Sequence, residues 1–322
     1  MIIIKLAGGL GNQMQQYALY RKLKSLGKEV KLDNIWFKDE NQKGLLAPRK
    51  LELEFFENLP MEFCTDVERD LFLKKNIFSK NMEKVFAKLG KKLFHDENFF
   101  GNKFGKKLNL TFNEHELFHE EIFEFENKYL NGFFLCDKYF EDILPALRED
   151  IVFPKHSDSD IEKRNEELIR QMEEHPSASI HIRRGDYITD KENLKLFGNI
   201  ATDEYYKAAI MYVLKRDPDT KFYIFTNDKA YANVMYPDAN RFVIVDGNKG
   251  DDSLLDIKLM SHCKYNICAN STFSFWGARL NSRVDKVMIR TFKMRNNQLL
   301  DSDTMHKYFG NYVLIDEDGE LR

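Results

Sequence analysis

The 322 residues carry 49 lysines and arginines against 52 aspartates and glutamates, a net charge of −3 that supplies no global field for nucleic acid. No apolar run reaches the length of a signal core or a membrane span, so a cytoplasmic protein without a membrane span or a nucleic-acid partner is expected. Cys64, Cys136, Cys263 and Cys268 match no zinc or redox spacing and read as reduced, mostly buried thiols.

The length suits two domains. Residues 2–7 form an apolar strand that runs into Gly8-Gly9-Leu10-Gly11, and the helical period then passes through Met14, Tyr17, Ala18, Leu23 and Leu26 before Gly27 stops it. A second strand over 29–32 delivers Asp33 at its carboxyl end, completing a β-loop-α-β unit of the phosphate-binding type. Gly9 and Gly11 admit close backbone approach of a ligand. With Asp33 they also make a partial dinucleotide fingerprint in which Met14 takes the third glycine's place, so a nicotinamide-dependent oxidoreductase is one reading.

From Met61 to Asn127 the chain is rich in Phe, Lys and Glu, basic over 84–107 and acidic over 114–126; solvated helices and an acceptor lid or partner surface both fit. Residues 115–119 spell H-E-x-x-H, but carboxylates crowd the stretch and it lacks the apolar flank of a zinc-protease helix. Strand-like alternation returns at 129–135, and a helical stretch follows from Asp137.

Pro154 and the polar run to Asp160 mark a boundary between an N-terminal α/β domain, 1–153, and a C-terminal domain, 154–300. The tail 301–322 is expected to pack back on the first domain. Within the second, strands at 179–182, 222–225, 242–245, 265–268 and 286–289 alternate with helices near 203–216, 228–236, 252–262 and 273–281. That rhythm implies a parallel sheet covered on both faces, with its ligand crevice at the strand carboxyl ends.

Two motifs fall at that crevice. Ser179-Ile180-His181-Ile182-Arg183-Arg184-Gly185-Asp186-Tyr187 drives two guanidiniums off a strand, and an arginine fork fits the oxygens of a diphosphate. Strand alternation turns His181 and Arg183 one way and Arg184 the other, which assigns Arg183 to the anion and Arg184 to an ion pair with Asp186. The second motif, Asn270-Ser271-Thr272-Phe273-Ser274, opens a helix, where hydroxyls and free N–H groups either cap the helix or hold a phosphate. Asp228 and Asp256 could accept hydrogen bonds from a base or ribose, or cap their helices. The D-x-D stretches at Asp158 and Asp301 lie in polar linkers, so no metal site is assigned.

Residues 8–14, 181–187 and 270–281, taken together and in register, resemble the α-1,2-fucosyltransferases of glycosyltransferase family 11. The resemblance implies a GT-B architecture of two Rossmann-like domains facing a central cleft, the first on the acceptor side and the second holding the donor. It implies GDP-β-L-fucose as donor substrate, no cofactor or metal, and inverting transfer to the 2-hydroxyl of a terminal galactose on a glycan. Peripheral contact with a lipid-linked glycan accords with it. It also implies that His181 helps hold the nucleotide and that Asn12 reaches toward the fucose. Asp186 is the nearest motif carboxylate to act as base, although an arginine partner would depress its pKa. The sequence departs from the family at Gln15, usually Phe, at Phe134-Leu135-Cys136-Asp137, and at Asn227, usually Asp. A non-catalytic glycan- or nucleotide-binding protein of the same fold is the alternative reading.

Overall fold

The computed structural model describes the chain except residues 44–47, 74–84, 86–87, 90–91, 93–109, 116 and 298–299 and the side chain of Asp186. It divides into two compact units, Met1–Leu51 with Pro60–Leu135, and Glu52–Leu59 with Cys136–Arg322.

In the first unit, strands β1 (Ile2–Lys5), β2 (Val30–Asp33), β3 (Thr111–Asn113) and β4 (Lys128–Asn131) form a sheet in the order β2-β1-β4-β3. Every pairing is parallel. Helix α1 (Leu10–Ser25) begins two residues before the position the sequence period suggests, and Gly11 lies inside its first turn rather than in a loop. The reason is Gly8, whose backbone sits at φ 83, a left-handed turn that lets the chain enter the helix at once. Helix α1 buries polar residues as well as apolar ones: Gln13, Gln15 and Gln16 are at most 1% exposed. Each finds a partner. The Gln13 amide donates to the Gly8 and Lys50 carbonyls (both 2.9 Å), Gln15 to Phe134 O (2.6 Å), and Gln16 to Gly132 O (2.8 Å). Gln15 and Phe134, two departures from the family pattern, are thus one contact. Helix α2 (Asp66–Leu73) follows β2. The H-E-x-x-H stretch forms no zinc-protease helix, because His119 leads into a 3₁₀ turn over Glu120–Glu124; Glu116 lies outside the described residues.

The second unit begins with helices α3 (Leu144–Asp150) and α4 (Ser159–Glu174) and contains a six-stranded parallel sheet. Its strands are β5 (Ser177–Ile182), β6 (Lys221–Thr226), β7 (Phe242–Ile244), β8 (Tyr265–Cys268), β9 (Val287–Thr291) and β10 (Tyr312–Ile315), in the order β10-β9-β8-β5-β6-β7. The five expected strands are present. The sixth lies in the tail: β10 pairs with β9 and completes the second sheet, so the tail belongs to this unit and not to the first. Residues 136–153 belong to it too, which moves the boundary back from Pro154 to Cys136.

All six residues of the central strand β5 are buried, as expected of a parallel strand covered on both faces. Ala178, Ile180 and Ile182 pack with Tyr205, Ala209 and Val213 of helix α7 (Asp203–Leu214), while Ser179 and His181 alternate to the other face. Away from the crevice, Asp137 forms a fully buried ion pair with Arg279, whose Nε donates to Asp137 Oδ1 at 3.0 Å. Tyr312 adds a hydroxyl to the same carboxylate (3.1 Å). This pairing draws the 136–150 segment into the unit and explains the shifted boundary.

Candidate active site

The chain leaves β5 toward β6 and β7 on one side and returns through β8, β9 and β10 on the other. The order reverses between β5 and β8, and the crevice of an open parallel sheet lies at that switch point. Arg183 and Arg184 bridge β5 to the short helix α5 (Gly185–Thr189), which is followed by α6 (Lys191–Phe197). They open into a cavity of about 390 Å³ whose wall includes Arg183, Arg184, Tyr187, Phe197, Asp203 and Asn270. That volume lies in the range of small-ligand sites.

Both arginines line the cavity, contrary to the alternation expected from the sequence. The strand stops at Ile182, and alternation stops with it. The Arg183 guanidinium lies 5.4 Å from the centre of the Tyr187 ring, which stacks on Phe197 at 5.0 Å and 19°. Arg184 is ion-paired, but with Asp228 (Nε to Oδ2, 3.0 Å), and it lies over Tyr231 at 4.0 Å. The Asp186 side chain lies outside the described residues.

Asp228 is committed on both oxygens. One takes Arg184; the other caps helix α8 (Lys229–Met235) by accepting from Tyr231 N at 3.0 Å. That backbone bond and the guanidinium hold its carboxyl below the usual range. The carboxylate thus fixes both Arg184 and the start of α8. Asn227, where the family has a second aspartate, accepts from Arg184 N at 3.0 Å and lies against Gly185, which has φ 33. The neutral amide places the arginine loop without adding a further negative charge beside Asp228.

His181 is 7% exposed, and its Nδ1 is buried without a partner. Burial, reinforced by the Arg183 charge, pulls its pKa down to about 3, so it is a neutral imidazole with hydrogen-bonding capacity unspent. Its ring lies 5.6 Å from that of Phe273. Helix α10 (Thr272–Leu280) starts here with Ser271 at the N-cap position, and the Ser271 side chain makes no capping bond to the N–H groups of the first turn. Ser274 is turned inward, its hydroxyl bonded to Ser271 O (3.1 Å), which removes it as a ligand donor. Asn270 is 3% exposed, and its amide donates to Phe197 O (3.0 Å) and Met294 O (3.3 Å). With both amide hydrogens spent, the Asn270 side chain has only its oxygen to offer a ligand.

Asp256, on helix α9 (Leu255–Met260), is not on the cavity wall. It is half-buried and accepts from Asn248 (2.8 Å), which accepts in turn from Asn165 (2.8 Å); burial raises its pKa to about 7. In the first unit, Gly9 occupies the N-cap position of α1, and Asn12 packs against Gly8, where an added Cβ would lie 2.6 Å from the Asn12 amide nitrogen. Asn12 is therefore a first-turn residue of the helix and not its cap. Asp33 accepts from the Tyr129 hydroxyl at 2.7 Å, so the carboxylate a dinucleotide fingerprint needs is already engaged. Asp158 and Asp301 cap helices, Asp301 heading α11 (Ser302–Phe309). Among the described residues no group of three or more His, Cys, Asp or Glu could hold a metal ion, and no helix is long and apolar enough to cross a membrane.

Phe197, Asp203, Tyr231 and Asn296 escaped sequence reasoning. They act through contacts with residues distant in sequence, which no spacing records.

Two Rossmann-like α/β units, one with an arginine-lined cavity at its switch point, make an architecture of GT-B type. The profile of Glycosyl transferase family 11 matches residues 1–313, and this chain belongs to that family. It is 31% identical over 288 residues to an alpha-1,2-colitosyltransferase of Escherichia coli, with 88% of each chain covered. It is 29% identical over 318 residues to the O-antigen biosynthesis glycosyltransferase WbnK of Escherichia coli, covering 93% of this chain and 97% of that one. Among solved structures, the NodZ alpha-1,6-fucosyltransferase soaked with GDP-fucose is similar at a TM-score of 0.46 and 14% identity, with 87% of this chain and 92% of that chain covered. Family membership sets aside the zinc-protease and nicotinamide readings.

Proposed function

We propose that the protein is a cytoplasmic, inverting α-1,2-fucosyltransferase that moves L-fucose from GDP-β-L-fucose to the 2-hydroxyl of a terminal galactose. The observation that carries the reading is the cavity holding Arg183 and Arg184 at the switch point of the second sheet. As the glycosidic bond breaks, charge grows on the departing diphosphate. A planar guanidinium and the N–H groups at the start of α10 match that charge without a divalent ion. Neutral His181 adds a hydrogen bond but no repulsion or competing charge. Asn12 acts on the reacting sugar, and Asp186 is the candidate base.

A second donor is favoured by one observation, the 31% identity to a colitosyltransferase. Colitose is fucose without its 3-hydroxyl, so the two donors differ by a single hydrogen-bonding group. Incubation with GDP-fucose or GDP-colitose and a panel of galactose-terminated acceptors, with linkage analysis of the product, tests both. Fucose in α-1,2 linkage, formed undiminished in EDTA, supports the proposal. Transfer of colitose alone replaces the donor, a metal requirement removes the arginine-only account of the leaving group, and GDP binding without transfer leaves a binding protein.

A further inference from the structure

The cavity wall contains an aromatic stack that no motif announces. Phe197 ends α6 and stacks on Tyr187, whose ring carries the Arg183 guanidinium on its face. The backbone around Phe197 is held from two directions. Asn270, from the loop after β8, donates to Phe197 O at 3.0 Å. Asn296, from the loop after β9, donates through its amide to Lys195 O (3.1 Å) and Gly198 O (2.9 Å), and Asn296 N donates to Leu196 O (2.8 Å). Four hydrogen bonds fix a corner of four residues, taking up the carbonyls that the last turn of α6 leaves open and tying that turn to the loops after β8 and β9.

We propose that Phe197 is a positioning residue for Arg183. The pinned corner holds Phe197, Phe197 fixes the plane of Tyr187, and Tyr187 keeps the guanidinium at one orientation before the donor arrives. This rests on the reading that Arg183 takes the donor's diphosphate. An unrestrained arginine side chain would lose rotamer entropy on binding, and a guanidinium held on an aromatic face has lost part of it in advance. Asn270, on the cavity wall, and Asn296, behind it, then serve the same end.

The test pairs Phe197→Leu, which keeps an apolar wall but removes the stack, with Phe197→Tyr, which keeps it. The first readout needs no donor: the Nε–H resonance of Arg183, assigned by its loss in Arg183→Ala, is shifted by the ring current of Tyr187. Phe197→Leu and Asn296→Ala should move it toward the position of a free arginine, and Phe197→Tyr should leave it in place. An unmoved resonance in Phe197→Leu overturns the proposal, whatever the donor proves to be. The second readout is GDP affinity in a double-mutant cycle. Phe197→Leu should weaken GDP binding about three- to fivefold in the wild-type background, the scale of a partly exposed cation–π contact. In the Arg183→Ala background it should change nothing, because the partner is gone. Equal losses in both backgrounds would show that Phe197 acts independently of Arg183 and overturn the proposal. Unaltered GDP binding in Arg183→Ala alone would instead refute the diphosphate reading, with the resonance still deciding the role of Phe197.

Discussion

The two units meet the same topological problem with opposite chemistry. Each has a parallel sheet whose first strand feeds a helix at the carboxyl edge. After β1 the turn is neutral: glycines followed by three buried glutamine amides, each donating to a backbone carbonyl. After β5 the turn is charged: two guanidiniums, one paired to Asp228 and one lying on Tyr187. The difference extends into the interior, where the second unit buries Arg279 against Asp137 and places Arg290 beside Phe309 and Phe275. Neutral amides fix a loop's shape without creating a field, whereas an anion site needs the field itself.

The largest effect should come from the buried charges. Asp137→Ala strands Arg279 and should cost about 3–5 kcal/mol, the loss typical of a broken buried pair. Urea unfolding in a Trp36→Phe background follows Trp276, whose ring lies 5.3 Å from the Arg279 guanidinium. A loss below about 1 kcal/mol would place the pair among surface-like ion pairs and erase the contrast.

Next is Arg183→Ala, expected to lower kcat/KM by roughly 10² or more, as when one charge-stabilising donor is removed from a transition state. Arg183→Lys should recover only part, since the charge returns without the fork. Wild-type rates in a folded Arg183→Ala protein would mean that the field lies elsewhere.

On the neutral side, Gln15→Leu leaves the Phe134 carbonyl without its donor and should cost about 1–3 kcal/mol. Faster hydrogen exchange confined to the β1–α1 region would locate the effect, and GDP affinity should not change. A change in GDP affinity equal to that of Arg183→Ala would contradict the division of labour.

The last effect concerns pH and grows with the range of pH explored. The folded pKa of His181, about 3, lies below its ordinary 6.5, so the unfolded chain takes up this proton first. Stability from this group is complete above pH 6.5 and falls by about 1.4 kcal/mol per pH unit between there and pH 3. Asp256, with its raised pKa, contributes the opposite sign between its ordinary value and about 7. The difference in slope between wild type and His181→Gln isolates the histidine; equal slopes would show that His181 is not held neutral.

Much of the second unit was legible because parallel strands buried on both faces are written as apolar runs, and five of its six strands stood out that way. β10 did not, although Tyr312–Ile315 is an apolar run too, because its place in the sheet rests on pairing with β9 across the intervening helix α11. The early start of α1 was hidden for a related reason: its first turns bury glutamines, which an apolar period cannot register. The position of Arg183 at the crevice followed from the strand before it, whereas the pairing of Arg184 with Asp228 could not. Contacts between residues 44 apart leave no trace in local pattern. The partners of Asn270 and Ser274 were hidden because a hydroxyl or amide at a helix start looks the same whether it faces a ligand or the protein's own backbone.

Anyone wishing to express the second unit alone should cut the chain with the ion pair in mind. A fragment starting at Pro154 would contain the whole sheet and both arginines of the cavity, yet it would discard Asp137 and leave the Arg279 guanidinium sealed in the core without a counterion. Such a fragment would fold poorly for an electrostatic reason, and the remedy lies in its endpoints: starting at Cys136 restores the carboxylate, and supplying residues 52–59 on a short linker restores the remaining segment of the unit.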